Sequence, residues 1–125
     1  MNSENMILLV EDEAMIAMNL TMKLRNAGYP ISKIFASGED VVRFAENRNP
    51  DLVLMDGRLA GEIDGVEAMR RLRKIHKNLP IIFITGYTNE SFIEKAHELS
   101  PVACMTKPVN INQLIGHIKS VIYRQ

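Results

Sequence analysis

Only one cysteine, Cys104, occurs in the 125 residues, so no internal disulfide can form. It lies in an apolar stretch, where the expected role is a small buried hydrophobe. No apolar run approaches the roughly 18 residues a membrane span needs. The opening Met1-Asn2-Ser3-Glu4-Asn5 lacks the charged and apolar regions of a signal peptide, which makes a cytoplasmic protein the expectation. Net charge is missing too. Lys and Arg total 15 and Asp and Glu total 15, so a general attraction to nucleic acid or membrane gets no support. The basic stretch Arg70-Arg71-Leu72-Arg73-Lys74-Ile75-His76-Lys77 has no nucleic-acid-binding motif beside it and reads as a solvated helix face. No linker, repeat or low-complexity segment divides the chain, and no Gly-rich phosphate loop follows the first apolar run.

What is present fits one domain over residues 1–125, with a core from about 6 to 123 and no separate output domain. Hydrophobic residues make up 46% of the chain, enough for a single core. Short apolar runs predict buried strands at Met6–Val10, Lys33–Ala36, Leu52–Met55, Ile81–Thr85 and Val102–Thr106. Helical periodicity fills the intervals. The first helix is expected from Glu13 to Ala27, with Ile16, Leu20, Leu24 and Ala27 on its core face and Gly28 as its stop. The second covers Glu39 to about Asn47. The third starts at Asp64, where Asp64 and Glu67 have capping-box spacing, and turns Val66, Met69, Leu72 and His76 to one side. The fourth spans about Asn89 to Leu99 with Thr88 as cap. The fifth runs from Ile111 to Tyr123, capped by Asn110 and Gln113. Five strand–helix repeats predict an α/β, doubly wound parallel sheet with helices on both faces.

In such sheets ligands bind outside the carboxyl ends of the strands. Strand one ends in Glu11-Asp12, strand three in Asp56, strand four in Thr85-Gly86 and strand five in Lys107-Pro108. Each residue alone has a plain reading as a turn residue, helix cap or surface charge. Their joint occurrence at four strand ends carries the inference. Carboxylates about 5 Å apart repel by roughly 3 kcal/mol per pair at an effective dielectric near 20. Protonation of one acid or a bound divalent cation offsets that. Hard oxygen donors beside an expected phosphate suit Mg²⁺. A carboxylate nucleophile, a metal, a lysine and a hydroxyl together suit phosphoryl transfer through an aspartyl phosphate.

These residues stand in stretches that closely resemble the response-regulator receiver domain of two-component signalling. They are Ile7-Leu8-Leu9-Val10-Glu11-Asp12-Glu13, Pro50-Asp51-Leu52-Val53-Leu54-Met55-Asp56, Asp64-Gly65-Val66-Glu67, Pro80-Ile81-Ile82-Phe83-Ile84-Thr85-Gly86 and Lys107-Pro108. The resemblance implies five strands in the order 2-1-3-4-5, a flavodoxin-like arrangement. It implies that Asp56 accepts phosphate from the phosphohistidine of a sensor histidine kinase or phosphotransfer protein. Asp12 would hold Mg²⁺ directly, Glu11 through water, and the Arg58 backbone carbonyl would be a further ligand beside Asp56. Thr85 and Lys107 would contact the phosphoryl group and couple it to a surface of helix four, strand five and helix five, where a downstream protein or fused output domain docks.

Several positions depart from the common pattern. Glu11 stands where the family often has Asp. The loop Gly57-Arg58-Leu59-Ala60-Gly61-Glu62-Ile63 lacks the usual proline and is one residue longer, as in receivers associated with sensor kinases. Cys104 replaces the usual Tyr or Phe three residues before the lysine, which rules out an aromatic swing at that position. Arg58 and Tyr87 occupy the two positions that tune phosphoryl lifetime in the family; both are large and imply slow self-dephosphorylation. The resemblance implies self-phosphorylation and self-dephosphorylation, not a turnover enzyme. A phosphatase would want an acid where Arg58 stands. The alternative is a pseudo-receiver, a binding module that works without phosphorylation.

Overall fold

The structure, a computed structural model, describes residues 5–86 and 90–122. The strands are β1 (Ile7–Val10), β2 (Lys33–Phe35), β3 (Leu52–Asp56), β4 (Ile81–Thr85) and β5 (Ala103–Thr106). The helices are α1 (Ala14–Asn26), α2 (Gly38–Ala45), α3 (Gly65–Ile75), α4 (Glu90–His97) and α5 (Ile111–Val121). All strand pairs are parallel, in the order β2-β1-β3-β4-β5. This is the expected doubly wound sheet, with element ends displaced by at most two residues. Thr88, Asn89 and Tyr123, which the sequence placed at helix ends, lie outside the described residues, as does Tyr87.

Alternation along the buried strands divides the core in two. Leu8, Val10, Val53, Met55, Ile81 and Phe83 face the cluster that includes residues of α2, α3 and α4. Ile7, Leu9, Leu52, Leu54, Ile82 and Ile84 face the other, which includes residues of α1 and α5. The expected caps of α3 and α5 are formed: Asp64 accepts from the Glu67 N–H at 2.8 Å and Asn110 from the Gln113 N–H at 3.0 Å. Helix α2 begins earlier than expected because Ser37 caps it, accepting from the Asp40 N–H at 3.2 Å.

Three readings are corrected. Ile16 does not face the core; Ala17 and Leu24 do, one helical turn pair apart, with Leu20 partly buried between them. Met15, Ile16, Met18 and Met22 are left exposed. Cys104 is only partly buried, at the margin of the core beside α4, with its sulfur 3.9 Å from His97 Nδ1. Burial still pushes its thiol above the ordinary range. The basic stretch is not uniformly solvated. Arg70 and Arg71 pair with Glu67, but Arg73 turns inward and donates to the carbonyls of Leu99 at 2.9 Å, Ser100 at 3.1 Å and Leu79.

Candidate functional site

The strand order reverses between β1 and β3, which opens a crevice at their carboxyl ends. Glu11 follows β1 directly and stays in its ladder, its N–H donating to the Phe35 carbonyl at 2.9 Å. Asp56 is the last residue of β3, in register with Ile84. Both side chains are buried, each residue 5% exposed, whereas Asp12 is exposed. One carboxylate oxygen from each of Glu11, Asp12 and Asp56 lies within 4.8 Å of the others. The sequence expected these acids to converge, and they do.

Lys107 reaches them from the end of β5. Its backbone N–H donates to the Thr85 carbonyl at 3.0 Å, which fixes its stem. Its Nζ donates to Glu11 Oε1 at 3.0 Å and Asp56 Oδ2 at 3.1 Å. Partial burial works against the ammonium, but the hydrogen bonds and charges of Glu11 and Asp56 outweigh it and raise its pKa above the ordinary lysine value. The other Asp56 oxygen, Oδ1, accepts from the Arg58 N–H at 3.3 Å. Asp56 is therefore held at both oxygens.

Thr85 ends β4 and is 1% exposed. Strand alternation puts it on the opposite face from Asp56, under the residue that follows the aspartate. A Cβ on Gly57 would fall 2.8 Å from Thr85 Oγ1, so only glycine lets the chain turn there over the threonine. Gly65 is tighter still: a Cβ would fall 2.1 Å from the Asp56 carbonyl oxygen. Nothing in the local sequence pattern marks either contact.

The three carboxylates fit a hard divalent cation. Two are buried with only one ammonium between them, and the third is open to water, which suits an ion that keeps part of its hydration shell. Beside them runs a groove of about 620 Å³, lined by Met15, Ile16 and Leu20 on one side and Val109 and Ile111 on the other, and reaching Asp56. Among the described residues, no helix is long and apolar enough to cross a membrane.

Residues 7–119 match the response regulator receiver domain family. The transcriptional regulatory protein PdtaR of Mycobacterium tuberculosis is 33% identical over 118 residues, which cover 94% of this chain and 57% of that protein. The chain thus spans little more than half the length of that relative. Among solved structures, the signal receiver domain of a modulated diguanylate cyclase from Desulfovibrio desulfuricans G20 superposes with a TM-score of 0.86 at 36% identity, covering 97% of this chain and 95% of that one. The receiver domain of a sensor histidine kinase from Pseudomonas aeruginosa PAO1, with a magnesium ion coordinated in its active site cleft, gives 0.83 at 29% identity, covering 95% and 98%. The sheet order, the acids gathered at its switch point and this family match agree: the chain belongs to the response regulator receiver domains of two-component systems.

Proposed function

We propose that this receiver is a phosphorylation switch in which Asp56 takes a phosphoryl group from a phosphohistidine donor in a Mg²⁺-dependent reaction. The observation that carries this reading is the pairing of one lysine with two buried acids beside a third, at the mouth of an open groove. A carboxylate oxygen of Asp56 forms the new O–P bond as the P–N bond to the donor imidazole breaks, and the ring keeps the electron pair. Glu11, Asp12, Asp56 and the Arg58 carbonyl would hold Mg²⁺, which supplies positive charge against the phosphoryl oxygens. Lys107 stays within reach of those oxygens once Asp56 is esterified, and the Thr85 hydroxyl donates to one of them after its side chain turns toward the site from beneath Gly57. The donor, a histidine kinase or phosphotransfer protein, approaches along the groove, where Met15 and Ile16 offer apolar contact.

Phosphorylation replaces the single charge of the Asp56 carboxylate with the roughly two of an acyl phosphate, at a site where Lys107 only partly offsets two acids, and that imbalance drives the change of surface. Incubation with a phosphohistidine donor and Mg²⁺ should label the wild type and leave Asp56→Asn unlabelled but folded. Labelling of Asp56→Asn at the wild-type level would overturn the assignment. Mg²⁺-dependent uptake of beryllium fluoride, a phosphoryl mimic, separates this reading from a pseudo-receiver, which would take up none.

A further inference from the structure

The loop from Gly57 to Asp64 joins the acceptor strand to α3 and carries Arg58. Its near end is fastened to the site. The Gly57 N–H donates to the Ile84 carbonyl at 2.9 Å, and the Gly65 N–H closes back on the Gly57 carbonyl at 2.9 Å. Its far side rests on the start of α2. Ala60 forms an isolated parallel bridge with Ser37. Ile63 packs so closely on Gly38 that a Cβ there would fall 2.9 Å from Ile63 Cγ1. Between these two contacts stands Glu39, in the first turn of α2, whose Oε2 accepts from the Glu62 N–H at 3.0 Å.

The loop is shaped around that carboxylate. Gly61 has φ +99°, a conformation that favours glycine, and a Cβ there would fall 2.9 Å from Glu39 Oε2. Glu39 Oε1 is buried with no ordinary hydrogen-bond partner. The Glu62 amide above all holds this carboxyl below the usual glutamate range. An anion in the first turn of a helix is also favoured by the helix dipole. Glu39 is not among the acids of the metal cluster.

We propose that Glu39 is a positioning residue for the metal site: by holding the Gly61-Glu62 turn against α2, it fixes the loop that presents the Arg58 carbonyl to Mg²⁺. The inference rests on the magnesium reading above. Groups bonded directly to metal ligands commonly change metal affinity by about 10–100-fold when lost; Glu39 acts one step further out, through the Glu62 amide, which places its effect at the lower end.

Calorimetric Mg²⁺ titration of the wild type, Glu39→Ala and Glu39→Gln tests it, together with amide hydrogen exchange at Glu62. The alanine variant should bind Mg²⁺ roughly tenfold more weakly and lose protection at the Glu62 amide. The glutamine variant keeps one acceptor oxygen for that amide and should recover most of the affinity. A lower Tm in Glu39→Ala with unchanged Mg²⁺ affinity would reduce Glu39 to a stabilising contact and overturn the proposal, as would unchanged Glu62 protection. A wild type that binds no Mg²⁺ would instead remove the magnesium reading itself, and this inference with it.

Discussion

Two cations, Lys107 and Arg73, each tie separate segments of the chain together, and they do so in opposite ways. Lys107 stands at the carboxyl ends of the strands and bridges two buried acids. Arg73 stands on α3 and bridges three neutral carbonyls, from the segment before β4 and from the residues that follow α4. The acids around Lys107 repel one another, so the ammonium relieves a conflict that a metal or a phosphoryl group then changes. Carbonyls carry no such conflict, and the guanidinium simply satisfies them. Similar side-chain chemistry thus gives a responsive contact at one place and a fixed one at the other.

The contrast breaks most clearly under paired substitution. Lys107→Met should slow phosphoryl uptake by about a hundredfold, the usual scale for losing a group aimed at developing charge. Its lost stability should return with millimolar Mg²⁺. Arg73→Met should keep its uptake rate and lose about 2 kcal/mol of stability, which Mg²⁺ does not restore. Equal rescue of both variants in thermal melts would erase the distinction.

Acid sharpens the contrast at a smaller scale. The carboxyl of Glu39 is lowered mainly by the Glu62 amide, and that of Glu67 mainly by Arg71, then Arg70. Lowered carboxyls contribute stability that is present above their ordinary value of 4.5 and is lost as pH falls through their folded values. The raised pKa of Lys107 has the opposite sign: its contribution is full below 10.5 and is lost only as pH rises through the folded value above that. Denaturation followed against pH should therefore show a plateau through neutrality, a fall below about pH 4.5 and a separate alkaline fall. A decline beginning between pH 6 and 8 would contradict this. The smallest effect is expected at Gly116 in α5, where an added Cβ meets nothing within 4 Å. Gly116→Ala should add about 0.5–1 kcal/mol through helix propensity alone. It provides a reference for a stability change remote from both cations, measured by urea unfolding.

Sequence carried the sheet and the acids because both are written locally. Short apolar runs mark strands, and the acids lie immediately after them. The two-sided core followed for α3, where Val66, Met69 and Leu72 recur at helical spacing and are buried. It failed for α1, whose apolar residues exceed what the sheet covers, so periodicity alone did not tell Ile16 from Ala17. Arg73 was invisible inside a run of basic residues because its partners lie on loops 6, 26 and 27 positions away. The same holds for Glu39 and the Glu62 amide, 23 residues apart. Only the folded chain brings such pairs together.

The contact of Gly65 with the Asp56 carbonyl has a practical consequence. With no side chain between them, the first residue of α3 lies directly on the acceptor's own peptide group, so helix and strand end shift as one body. A spectroscopic label at exposed Lys74, far along that helix, would register backbone displacement at the aspartate while leaving the acids, the lysine and the groove chemically untouched.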